Sequence, residues 1–341
     1  MLGTTRFLLS LIVIANHFWV AGENMLGFHA VTAFYIVSGF LMTRVIQNVY
    51  GLHLDGIRVF LINRLLRIMP AYWLFLLLSL LLIAVLPPRF GFGNLQAAPQ
   101  SAHDWIANLT LIDLVWANRQ VVPPAWSLGI EIVFYALMPI ALARSVRSVE
   151  IWVVASGIIT AGLLLAGVGF GYRYYPAYAA SLFISLGAAC YTHGHIVRRL
   201  TLPRWAIAPA LVLFLFLPIL VEQVGVSHLT WGYYGAALLF CVLLASMTDG
   251  TPSPWPTIDR WLGDLSYPVY LSQFIGAGLV NVTVGDLIVP GTLAYTGAAA
   301  AISIAMSAIY VIAVDRPVQR LRARLRPTQP ARESAAQWPK L

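Results

Sequence analysis

The first apolar segment, RFLLSLIVIANHFW, carries Arg6 and His17 eleven residues apart. Eleven residues is close to three α-helical turns, so both side chains leave nearly one face, about 16 Å apart along the axis at ~1.5 Å per residue. An ionisable group inside a membrane helix is costly and ordinarily turns toward a cavity or the interior of a bundle. A permanent cation and a group that titrates near neutral pH, on one stripe, could hold an anion and move a proton. The plainer alternative is a flank charge plus a packed, hydrogen-bonded histidine, and the pair taken alone leans that way.

Other segments add groups of the same kind. In FLINRLLRIMPAYW, Arg64 and Arg67 are three residues apart and share a helix face. Guanidinium groups converging there with Arg6 would bind phosphates through paired hydrogen bonds, whereas any one of them alone reads as an ordinary flank charge. In AFYIVSGFLMTR, Ser38 and Gly39 fall in mid-segment, where small residues let helices approach closely. They could also leave a narrow passage for a slender ligand. PPAWSLGIEIVFYALMP places Trp126 at a helix start, Glu131 further in and Tyr135 one turn beyond it. A buried carboxylate needs a partner, and His17, Tyr135 or an arginine would serve. A Glu131–His17 contact would orient the imidazole and raise its basicity. LGDLSYPVYLSQ offers Ser266, Tyr267 and Gln273, read as helix-packing groups. His193 and His195 beside Arg198 and Arg199 are too few for a metal site without a third ligand. His53, His103 and His228 read as loop or interfacial residues, and no zinc motif, phosphate-binding glycine loop or GxSxG is present.

The elements that must position these groups follow from composition. The chain has 341 residues, 60% hydrophobic and only 10% charged, against about 25% charged in a soluble globular protein. An all-α, polytopic membrane protein is expected. The net charge of +8 does not point to nucleic acid, because the basic residues, all arginine except Lys340, are not clustered with exposed aromatics. Cys190 and Cys241 each lie in an apolar run, which argues against a disulfide framework and against a cysteine-based metal site. The N-terminal segment has signal-peptide features, but His17 and Trp19 fit a retained first span better.

Ten stretches approach the ~20 residues a span requires: 7–22, 29–46, 70–86, 126–143, 149–169, 174–192, 204–222, 229–247, 266–284 and 292–313. Residues 57–69 read as an amphipathic basic lead-in to the third. With both termini cytoplasmic, 18 basic residues lie inside and only Arg89, Arg119 and Arg173 outside, as the positive-inside rule requires. The outer connection 87–125, with an amphipathic stretch at DWIANLTLIDLVW, is long enough to expect a function. Residues 322–341 read as a disordered basic tail that meets anionic lipid.

Taken in order, Arg6-x10-His17, FYIVSGFLM (34–42), Arg64-x-x-Arg67 ending in RIMPAYW, WSLGIEIVFY (126–135), LGDLSYPVYL (262–271) and DRPVQRL (315–321) resemble the acyltransferase-3 family of membrane-bound acyltransferases. The resemblance runs over residues 1–321 and implies a ten-span membrane domain, without the SGNH-type hydrolase domain fused to some relatives. It also implies transfer of an acyl group, usually acetyl, from acyl-CoA to a hydroxyl of a carbohydrate or related acceptor, in a bacterial inner membrane. By the same resemblance His17 is the catalytic histidine, and Arg6, Arg64 and Arg67 serve the donor. Three departures stand out: Leu2-Gly3-Thr4-Thr5-Arg6-Phe7 replaces the usual Leu-Asp-Gly-Leu-Arg-Gly lead-in, Gln273 stands where many relatives have His, and Asp315 where Glu is commoner.

The expected site is therefore His17 and Glu131 as catalytic groups, Arg6, Arg64, Arg67 and Ser38 toward acyl-CoA, and Trp126, Tyr135 and Tyr267 in support. No metal and no permanently bound cofactor is expected; the partners are acyl-CoA, a carbohydrate or glycolipid acceptor and membrane lipid. A transporter or channel using the Arg–His stripe as an ion path is the competing class, and flux independent of acyl-CoA would favour it. The lack of an inverted repeat or mid-membrane charge pairs weighs against it. A non-catalytic scaffold would tolerate loss of Arg6 and His17 together.

Overall fold

A computed structural model describes residues 1–19, 26–248 and 255–325. Long apolar runs without internal charge leave the backbone no partner in lipid but itself, so helix is the available solution. Thirteen α-helices follow: α1 Leu2–Phe18, α2 Leu26–Val45, α3 Leu54–Val85, α4 Ala102–Thr110, α5 Trp126–Leu137, α6 Val146–Leu165, α7 Ala177–Thr192, α8 Gly194–Val197, α9 Arg204–Gln223, α10 Tyr233–Met247, α11 Pro256–Thr283, α12 Leu293–Tyr310 and α13 Arg316–Arg324. No strand forms among the described residues, only isolated bridges.

Seven helical segments among the described residues are long and apolar enough to cross a membrane, and Leu2–Phe18 and Ala177–Thr192 are apolar but shorter. Helix α11 is long, but Ser266, Tyr267, Gln273 and Asn281 dilute its apolar run. It lies in the middle of the bundle, with Ser266, Ser272 and Gln273 almost wholly buried. Residues 57–69, the basic lead-in, belong to the same helix as the third span, since α3 runs unbroken through them and through Pro70. One boundary differs from the sequence reading. The tail expected from 322 begins later, because residues 322–324 complete α13; residues 326–341 lie outside the described residues.

Contacts at both ends of each helix give its direction. Gly3 packs on Asp259 and Gly263 while His17 meets Gln273, so α1 and α11 run parallel. Tyr267 bonds the Ile68 carbonyl and Arg89 the Val282 carbonyl, so α3 runs with them. Helix α12 runs the other way, with Tyr295 on Ala277 and Ser307 near Ser272. Helices α2 and α7 are parallel, since Phe28 meets Tyr174 and Asn48 meets Tyr191.

The expected outer connection is ordered by one acid. Ser101 and Asp104 form a reciprocal cap on α4, and the Asp104 carboxylate also accepts from the Asn118 amide at 2.9 Å and the Arg119 amide at 3.4 Å. Burial pushes the Asp104 carboxyl up, but these hydrogen bonds outweigh it and hold it below the ordinary 3.8. A depressed carboxylate stabilises the fold above its unfolded value and loses that contribution as pH falls through the folded one. Asp104→Ala is therefore expected to speed amide exchange at Asn118 and Arg119 at neutral pH. In the wild type the same loosening should appear only on acidification past 3.8; identical exchange in both proteins at neutral pH would refute the tie.

Candidate active site

A cavity of about 270 Å³ opens between α1, α2, α3, α5, α11 and α13. Its lining on α2 extends from Val31 to Val45, roughly 21 Å of helix at ~1.5 Å per residue. Arg6, Ser38, Arg64, Arg67, Glu131, Tyr135 and Tyr267 all line it, as does Arg322. Seven of the nine expected site residues thus share one cavity; Trp126 and His17 are not on its wall. Trp126 instead packs edge-on against Tyr174 and Tyr175, with ring centroids 5.3 and 5.1 Å away.

The cavity has two chemically different ends. At one, four arginines face a single carboxylate, Glu131. Glu131 accepts a hydrogen bond from Tyr135 at 2.7 Å, with Ser38 also in reach. None of the four arginines forms an ion pair among the described residues, and the buried Arg64 Nε has no hydrogen-bond partner there. Buried cations in excess need an anion, and forked guanidinium donors suit phosphate oxygens. At the other end, Val31, Phe34, Tyr35, Ser127 and Tyr270 form a mostly apolar wall. Ser127 and Tyr270 hydroxyls lie 2.9 Å apart, while the buried Tyr35 hydroxyl has no hydrogen-bond partner among the described residues.

His17 sits about one helical turn beyond that apolar end. Its Nδ1 is 2.7 Å from Gln273 Oε1. Gln273 Nε2 donates to the Tyr270 carbonyl at 2.7 Å, which fixes the amide with its oxygen toward the histidine. An amide oxygen can only accept, so Nδ1 carries a proton, and in the neutral ring the lone pair is on Nε2. His17 is exposed, and its ring is flanked by Phe18 and Phe274. Phe92 from the 87–125 connection closes onto both phenylalanines. A neutral imidazole with a free Nε2, held from behind, is arranged to take a proton.

The Glu131–His17 contact considered from the sequence does not form. Ser127 pairs with Tyr270, Glu131 lies a turn further along α5, and Gln273 lies a turn along α11 in the opposite direction. Those steps separate the two groups by roughly 10 Å along the bundle at ~1.5 Å per residue. Glu131 belongs to the arginine end, and Gln273, read as a packing group, is the residue that orients His17. Arg322 was assigned to the tail, yet it is 6% exposed and lines the cavity. Tyr35, Ser127 and Tyr270 were legible only as members of apolar runs.

A family model described as an acyltransferase domain (acyltransferase-3) matches residues 2–312. No curated protein and no solved structure matches the chain. The match spans nearly the whole sequence, and it contains every one of the nine expected site residues. The chain therefore belongs to the acyltransferase-3 family.

Proposed function

We propose that the protein is an integral-membrane O-acyltransferase that moves an acyl group, acetyl being the expected one, from acyl-CoA to a hydroxyl of a cell-surface carbohydrate or related acceptor. The observation that carries this reading is the two-ended cavity, with arginines at one end and an apolar end one turn from an oriented histidine. Arg6, Arg64 and Arg67 would hold the CoA phosphates. The pantetheine arm would lie along α2 past Ser38, where the passage is slender. His17 Nε2 would take the proton of the acceptor hydroxyl as that oxygen attacks the thioester carbonyl. The C–S bond then breaks, and the leaving thiolate takes the proton back from the imidazolium. Glu131 and Tyr135 would set the charge and shape of the donor end, Tyr267 would brace α11 against α3 through the Ile68 carbonyl, and Trp126 would shape the far side.

The same reading places ten spans in a bacterial inner membrane with both ends in the cytoplasm. The helix directions support it: the arginines of α1, α3 and α13 gather at one end of the bundle, and the 87–125 connection covers the other, beside His17. An acceptor would then approach from the outer side. Arg64→Ala tests the donor end. Loss of one charge-assisted interaction of about 1.5–3 kcal/mol should raise the KM for acyl-CoA roughly 10- to 100-fold while the KM for the acceptor stays within a few-fold. Unchanged donor affinity would refute the assignment.

A further inference from the structure

The fourth arginine of the cavity lies outside the family match, which ends at residue 312. It arrives on α13, where it is the one buried residue. Burying a guanidinium there is not explained by an ion pair, since none forms with it among the described residues. What holds it is Asn63 of α3, itself fully buried. Arg322 Nε donates to Asn63 Oδ1 at 2.9 Å, and Asn63 Nδ2 donates back to the Arg322 carbonyl at 3.0 Å. This reciprocal pair fixes the backbone and the root of the guanidinium together. Its Nη groups make no protein hydrogen bond among the described residues, and Arg322 lines the cavity together with Arg64 and Arg67. Asp315, which accepts from Gln319 at 2.5 Å, and Asp264 border a smaller neighbouring pocket that Arg67 and Arg322 also line, but neither closes an ion pair with Arg322 among the described residues.

We propose that Arg322 is a donor-phosphate ligand: Asn63 aims its two Nη groups at the nucleotide phosphates that Arg64 and Arg67 also bind. This rests on the acyl-CoA reading above. The shared chemistry is a phosphate oxygen, and an anionic lipid headgroup could supply one, so binding is measured in nanodiscs of phosphatidylcholine alone. The probes are CoA and 3′,5′-ADP, which keeps phosphates and lacks the pantetheine arm. Arg322→Gln retains an amide donor for Asn63 and removes the charge; Arg322→Ala removes both.

With the melting temperature of Arg322→Gln unchanged, its affinity for both probes is expected to fall at least about tenfold. Affinities within twofold of wild type overturn the proposal. So does a loss that appears only in Arg322→Ala and only with a lowered melting temperature, since that marks a purely structural residue. Wild-type protein that binds neither probe overturns the donor reading itself, an outcome distinct from the other two.

Discussion

Replacing His17 by alanine is expected to lower acyl transfer by about 100- to 10,000-fold, the range that a positioned general base contributes, with membrane insertion and CoA binding unchanged. Binding is spared because His17 is not on the wall of the arginine cavity. The companion substitution is Gln273→Leu, nearly equal in size and without the amide. It frees Nδ1 from the bond that fixes the tautomer, so a smaller loss is expected, confined to kcat. Turnover by purified protein with acetyl-CoA and an acceptor extract, read as release of free thiol, measures both. An alanine variant that turns over at the wild-type rate would remove His17 from the mechanism altogether.

The second large effect is on folding. Where α2 crosses α7, Gly39 and Gly187 face each other's helices so closely that a Cβ on Gly39 would lie 1.9 Å from the Ile184 carbonyl oxygen. A Cβ on Gly187 would lie 1.9 Å from that of Ile36. The obstacle is backbone, which cannot swing aside as a side chain would. Gly39→Val must separate the helices, at a cost of about 3 kcal/mol or more given that milder core overpacking costs 1–3. A marked drop in melting temperature and in monodisperse yield from detergent is expected. Gly157→Ala, where a Cβ would meet nothing within 4 Å, is the matched control and should melt as wild type does. Equal melting of the two variants would show that α2 and α7 do not need this close approach.

Much of the site was legible because charges and small residues in an apolar chain have few places to go. Arg6, Arg64, Arg67, Ser38 and Glu131 each stand out against their neighbours, and the cavity gathers all five. What the sequence could not supply was axial register between helices. Similar depth made Glu131 a plausible partner for His17, whereas the Ser127–Tyr270 pairing sets α5 about a turn out of step with that contact. Gln273 departs from the commoner histidine, and its importance lies in a bond to the Tyr270 carbonyl that no residue pattern encodes. Arg322 was hidden by its surroundings. RARLRPTQP looks like tail because it lacks an apolar stripe, yet α13 buries an arginine instead of a leucine. The one outlier that marked its seat was Asn63, a lone amide in an apolar run on α3. The fold class followed from composition, while the full length of α3 did not, because its basic first half, 57–69, has no long apolar run to mark it as part of the same helix as the third span.

The division of the cavity into a cationic end and an apolar end has a kinetic consequence on the proposed reading. Reaction changes only the thioester, and the phosphates held by the arginines are identical before and after it. Arginines holding those phosphates would grip spent CoA as firmly as fresh donor, which is uniform binding and contributes nothing to the chemical step. Discrimination between the two must come from the other end, where Tyr35, Ser127 and Tyr270 border the space an acyl group would fill. On that reading spent CoA would compete with fresh donor for the arginines, and acyl transfer would slow as the ratio of loaded to unloaded CoA falls.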